Sequence, residues 1–200
     1  MIPVSVAKHS IKRLSVAMLL LSALAGANAA ASQGYYRFPV LHNNSVLFTA
    51  EGDIWQHTAG EQQARRLTSH PDLETQPLVS EDGRQLAFVA NYEGVDEIYL
   101  MPLSGGQAKR VSFENSRVRL QQWLADGRIL YATDSEVGPA NYWVLKLLDP
   151  ITLQTETLPL ADAANGVIDA ATNTVFFSRF GLQLTGDNSK VYRGGALGQL

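Results

Sequence analysis

The sequence predicts an all-β fold, a β-propeller built from four-stranded antiparallel blades of about 44 residues. Three observations predict it. Independent landmarks recur at one fixed spacing: Ile54-Trp55 returns as Ile98-Tyr99, Arg66-Leu67-Thr68 as Arg110-Val111-Ser112, and Asp82-Gly83-Arg84 as Asp126-Gly127-Arg128, each 44 residues later. Short apolar runs alternate with Asp-Gly and Gly-Gly turns, and glycine accepts the positive φ that such hairpin turns need. No 3.6-residue apolar period appears anywhere after residue 30.

The first element is an address rather than part of the fold. Lys8, Lys12 and Arg13 precede an apolar run from Leu14 to Ala25, and Ala27-Asn28-Ala29 supplies small residues at the cleavage positions. The run is shorter than the roughly 20 residues that a bilayer requires. Residues 1–29 therefore read as a signal peptide, 30–35 as a short linker, and 36–200 as about four blades. Export to a bacterial periplasm is the expected location, with a cytoplasmic one as the alternative.

The clearest blade sets the pattern for the others. Thr75–Val79 reads as the first strand, Glu81-Asp82-Gly83-Arg84 as a hairpin turn, and Leu86–Ala90 as a strand apolar on both faces. Asn91–Val95 reads as a loop, Glu97–Met101 as the third strand, Ser104-Gly105-Gly106 as a turn and Ala108–Ser112 as the last strand. Ile129–Ala132 and Val175–Phe177 repeat the doubly apolar second strand. Arg65, Arg66, Lys109 and Arg110 mark the last strand as an exposed edge kept from pairing. Tyr142-Trp143 continues the Trp55, Tyr99 series at the same step. The last copy is looser: Glu156-Thr157-Leu158 lags by two residues, and Ala171-Thr172-Asn173 replaces the Asp-Gly turn. An antiparallel sandwich would have turns at similar intervals but no reason for a constant 44-residue step.

Composition narrows the function. The 200 residues are 46% hydrophobic and 18% charged, with 16 basic against 19 acidic side chains. That balance excludes disorder and gives no clustered positive field for nucleic acid. Zero cysteines exclude disulfides, thiolate metal sites and a cysteine nucleophile.

Gln76-Pro77-Leu78-Val79-Ser80-Glu81-Asp82-Gly83-Arg84-Gln85-Leu86-Ala87-Phe88 resembles the PD40 propeller repeat, with Glu81 in place of the usual proline. Tyr36-Arg37-Phe38-Pro39, Phe48 to Trp55, Ala64 to Pro71, Ala90 to Gly94, Tyr192 to Gly195 and Gln199-Leu200 together resemble the start of a bacterial tricorn-like protease. The resemblance covers about residues 35 to 200 and weakens between Val118 and Ser189. It implies a six-bladed propeller, here incomplete, at the head of a longer serine peptidase of short peptides. A second propeller, a PDZ-like domain and the peptidase core would lie downstream, and the full-length protein would be a homo-oligomer. The propeller would gate and guide peptides, with no membrane partner after signal cleavage. Two rival readings are a TolB-like periplasmic binding propeller and the propeller of a prolyl-oligopeptidase-type hydrolase.

No catalytic, cofactor or metal residue is assigned, because none matches the motifs of the peptidase core. A serine nucleophile needs an oriented base, and no Gly-x-Ser-x-Gly elbow is present. His57 shares the face of Trp55 on an alternating strand and reads as a packed or surface histidine. His70, Pro71, Asp72 and Glu74 read as a solvated acidic loop between blades. Trp55, Tyr99 and Trp143 read as blade-to-blade core rather than a ligand cage. Asp82-Gly83 and Asp126-Gly127 are turns rather than calcium loops, and Gly194-Gly195 lacks the context of a phosphate loop.

Overall fold

The computed structural model describes residues 35–138 and 142–179. The expected signal peptide, the linker up to residue 34 and the motifs at Tyr192–Gly195 and Gln199-Leu200 lie outside them.

Three four-stranded antiparallel sheets and one hairpin account for the described residues, each sheet running in simple chain order. Blade 1 comprises β1 (Arg37–His42), β2 (Ser45–Ala50), β3 (Asp53–Thr58) and β4 (Arg65–Arg66). Blade 2 comprises β5 (Glu74–Val79), β6 (Gln85–Ala90), β7 (Glu97–Pro102) and β8 (Lys109–Arg110). Blade 3 comprises β9 (Val118–Trp123), β10 (Ile129–Thr133), β11 (Val144–Leu148) and β12 (Thr155–Thr157). β13 (Asn165–Asp169) and β14 (Thr174–Ser178) form the hairpin of blade 4. The arrangement is that of part of a β-propeller. The fourth strand is shorter than the sequence suggests, two residues in place of Ala108–Ser112, because pairing with β7 ends at Arg110.

The blades stack face to face, and alternation along each second strand divides its side chains between two neighbours. Phe88 of β6 packs with Leu47 and Ile54 of blade 1, whereas Ala87 and Val89 pack with Ile129 and Tyr131 of blade 3. Leu130 and Ala132 then face Ile168, Val175 and Phe177 of blade 4. Burial on both sides explains why β6 and β10 read as continuous apolar runs.

This packing corrects the strict 44-residue step. Val79 pairs with Leu86 in blade 2, but Trp123 pairs with Ile129 in blade 3, so the second turn is one residue shorter. A one-residue slip exchanges the two faces of a strand. Ile129 and Tyr131, not Leu130 and Ala132, therefore correspond to Leu86 and Phe88. The loop after β10 is longer in return. Phe88 pairs with Tyr99, while Tyr131 pairs with Lys146. Lys146, and not Trp143, is thus the structural counterpart of Trp55 and Tyr99. Likewise Thr157 pairs with Lys146 as Arg110 pairs with Tyr99, so the last strand lags by three residues rather than two.

Candidate functional site

In this architecture the first strand of each blade is the one nearest the ring axis. β1 stands beside β5, β5 beside β9, and β9 beside β13. Each is locally irregular: the register shifts between Arg37 and Val40 in β1, between Thr75 and Leu78 in β5, and opposite Leu130 and Tyr131 in β9. Phe38 (φ 51°) and Gln76 (φ 55°) occupy the left-handed region within the first two of these bulges.

Neighbouring inner strands do not pair as a sheet, so their backbone groups need other partners. Glutamine amides supply them. Gln76 Oε1 accepts the Leu120 N–H at 2.9 Å, and Gln121 Oε1 accepts the Gly166 N–H at 3.1 Å. Gln122 makes a two-pronged contact with Ile168, accepting its N–H at 2.8 Å and donating to its carbonyl at 3.1 Å. These rungs join the inner strands of blades 2, 3 and 4. The sequence reading missed them, although Gln76, Gln121 and Gln122 stand 44 to 46 residues before the groups they bond.

A second recurring device sits where each blade hands over to the next. Asp53 and Glu97 open the third strands of blades 1 and 2, and both are almost fully buried. Arg66 contacts Asp53 at 2.5 Å, and Arg110 contacts Glu97 at 2.7 Å. Thr68 Oγ1 accepts the Ile54 N–H, and Ser112 Oγ accepts the Ile98 N–H and donates to Glu97. Glu97 also accepts the N–H groups of Glu114 and Asn115, which pins the start of the connection to blade 3. Burial opposes the Arg110 charge, but Glu97 and Glu93 outweigh it and raise its pKa above the ordinary value. The last-strand arginines therefore latch blade to loop; reading them as edge charges alone was incomplete. The acid, arginine and hydroxyl all recur at 44, so the latch was legible in the repeat.

Blade 3 replaces this latch with a lysine cluster. Glu114 accepts the Tyr131 hydroxyl at 2.5 Å, the Ser135 hydroxyl and the Lys146 ammonium at 3.0 Å. Lys146 Nζ lies 3.4 Å from Ser135 Oγ, the one serine–lysine pair in the hydrogen-bond pattern of the described residues. Nucleophilic use of Ser135 would need a neutral lysine. Burial favours that form, but hydrogen bonds and charge from Glu114 and Glu136 outweigh it and raise the Lys146 pKa above 10.5. Ser135 points its proton at a carboxylate and Lys146 stays an ammonium, so the cluster is a structural one.

The histidines divide three ways. His57 pairs with Val46 and is half-buried on the outer face of blade 1. His42 lies against the turn at Gly83. His70 stacks on Tyr92 with ring centroids 3.8 Å apart. The loop reading around His70 needs correction at Glu74, which is only 1% exposed as the first residue of β5 and accepts the Tyr92 hydroxyl. Burial raises its carboxyl pKa above 4.5, partly opposed by bonds from Thr68 and Tyr92. Trp55 donates its indole N–H to the Ala50 carbonyl, Tyr99 stacks on Phe88, and buried Trp143 lies under Arg119 at 4.0 Å. None of the three lines a shared cage. Among the described residues no group of three or more His, Asp or Glu side chains is placed to hold a metal ion, and no helix is long and apolar enough to cross a membrane.

Comparison with known proteins gives a consistent result. Residues 33–200 match the model of the tricorn protease N-terminal beta propeller domain. The chain is 32% identical over 180 residues to tricorn protease homolog 1 of Streptomyces coelicolor, covering 88% of this chain and 16% of that protein. It is 28% identical to the tricorn protease homolog of Saccharolobus solfataricus, covering 84% of this chain and again 16% of the relative. Among solved structures, the tricorn protease superposes with a TM-score of 0.68 at 18% identity, covering 82% of this chain and 17% of that one. TolB from Acinetobacter baumannii follows the same fold, with a TM-score of 0.62 at 18% identity over 73% of this chain and 38% of that one.

Proposed function

The chain belongs to the tricorn protease N-terminal β-propeller family, and from that membership we propose that it is the non-catalytic propeller of an exported tricorn-like serine peptidase. Its work is selection. A stiff stack of blades around an axis admits extended peptide and turns folded protein away. The observation that carries this reading is the set of glutamine rungs, which tie inner strand to inner strand and keep the wall of the passage from opening. The clusters of Ser135, Lys146 and the histidines offer no oriented nucleophile and base, which supports a supporting role rather than a cutting one.

The Streptomyces coelicolor and Saccharolobus solfataricus relatives are about six times longer than the stretch they share with this chain, so peptide cleavage belongs to the proposal for the whole protein. The test is made on the natural protein. Gln122→Ala with Gln121→Ala should leave turnover of a short peptide intact while raising cleavage of a small folded protein. Unchanged selectivity in a folded double variant would remove the gating role. Export is tested separately by sequencing the N-terminus of the protein from a periplasmic fraction; the expected first residue is Ala30 or Ser32.

A further inference from the structure

Between blades 2 and 3, at the end carrying the Asp-Gly turns, lies an open cleft of about 590 Å³. Leu100, Trp123 and Ile151 line it together with the acidic residues Glu81, Asp82 and Asp126. Comparison with the neighbouring blade junction explains why it is open. The turn glycine of blade 2 is covered by the preceding blade: a β-carbon on Gly83 would stand 2.8 Å from His42 Nε2. Gly127 holds the same place in the next turn, and nothing approaches its β-carbon position within 4 Å. Ser80, the residue just after the inner strand of blade 2, holds the place that His42 holds at the end of that strand in blade 1, and it is too short to fill the notch. Its hydroxyl is turned to Asp82 Oδ1 at 2.6 Å.

The chemistry of the lining is one-sided. Three acidic residues line the cleft and no lysine or arginine does. Asp82 is held below the usual carboxylate range by the Ser80 hydroxyl and the Arg84 N–H, and Asp126 by the Arg128 side chain and N–H. Both stay ionised at neutral pH. Arg84 extends into solvent, 3.7 Å from Asp82, and Arg128 divides its guanidinium between Asp126 and Glu156. Glu81 has no ion-pair partner among the described residues. An apolar cleft of several hundred cubic ångströms with a few convergent polar groups is the usual form of a ligand site.

We propose that this cleft is a subsite for an arginine side chain of an extended peptide. The aliphatic stem lies along Leu100 and Ile151, and the guanidinium lies on the Trp123 ring within reach of Glu81, Asp82 and Asp126. A planar guanidinium stacks on an indole and pairs with carboxylates in a fork, which a compact, strongly hydrated ammonium does less well. The inference rests on the peptide-handling reading for the bearer of the arginine, though not for the chemistry of the cleft.

The test is calorimetric titration of the natural protein at low salt with two blocked tripeptides, acetyl-Ala-Arg-Ala-amide and its citrulline twin, which is neutral and nearly the same shape. The arginine peptide should bind about fivefold tighter or more, the scale of one or two exposed ion pairs. That preference should vanish in Asp126→Asn with Glu81→Gln and in Ile151→Arg, which sets a rival guanidinium at the mouth. Melting curves should match the unaltered protein. Equal affinity for the twins, no binding of either, or a preference surviving in both variants would each overturn the proposal. Binding without hydrolysis would instead count against the peptidase reading and leave the subsite standing.

Discussion

Removing Arg110 probes the handover between blades 2 and 3 directly. Glu97 is 0% exposed, and its carboxylate takes the Arg110 guanidinium, the Ser112 hydroxyl and two backbone N–H groups. Arg110→Ala leaves that charge inside with its only cationic partner among the described residues gone. Breaking a buried pair in this way costs about 3–5 kcal/mol, more than an exposed pair contributes, because the remaining ion has lost its hydration. The remaining bonds from Ser112, Glu114 and Asn115 place the expected loss at the lower end, about 3 kcal/mol. For a domain of this size that corresponds to a melting-temperature drop of roughly 6–12 °C. Replacing both partners, as Arg110→Leu with Glu97→Leu, removes the stranded charge and should restore at least half of the loss. Thermal melts of the natural protein and these variants, followed by circular dichroism, read out the cycle. A drop equivalent to less than 1 kcal/mol in the single variant, or a double variant no better than the single one, would refute the latch.

Other expected outcomes follow from neighbouring groups. Glu74 carries a raised pKa in the folded protein, so its contribution to stability is complete below the ordinary value of 4.5 and is lost as pH rises through the folded value; Glu74→Gln should flatten that slope in urea midpoints measured from pH 4 to pH 8. Gly83→Ala and Gly127→Ala both force a β-carbon to positive φ, at about 1–2 kcal/mol. Only the first also meets His42, so its extra loss in midpoint should disappear when His42→Ala is added. The 200-residue chain by itself should show no inhibitor-sensitive turnover of a short peptide library, and measured turnover would place a nucleophile here after all.

Much of the architecture was legible before any coordinates. Turn chemistry is local: Asp82-Gly83 and Asp126-Gly127 each complete a four-residue turn in which the Ser80 or Leu124 carbonyl accepts the glycine N–H. Doubly apolar runs such as Leu86–Ala90, set between turn signals, read as strands covered on both sides. The acid–arginine–hydroxyl latch was also visible at the 44-residue step, although its arginines first read as edge protection. The register of blade 3 was not visible. Ile129, Leu130, Tyr131 and Ala132 are all compatible with burial on either side, so no sequence pattern says which pair faces blade 2.

By itself, then, the sequence determined the strand content and the turns, because each depends on residues a few positions apart, and it showed an approximate blade period through landmarks that recur 44 residues on. Tertiary structure decided the rest. A turn one residue shorter reversed the faces of β10, a longer loop put Lys146 where Trp143 was expected, and stacking against blade 1 buried Glu74 that composition placed in solvent. The glutamine rungs and the open notch over Gly127 exist only between blades. Side-chain environment there is set by what the adjoining sheet presents, and a linear pattern carries no record of that face.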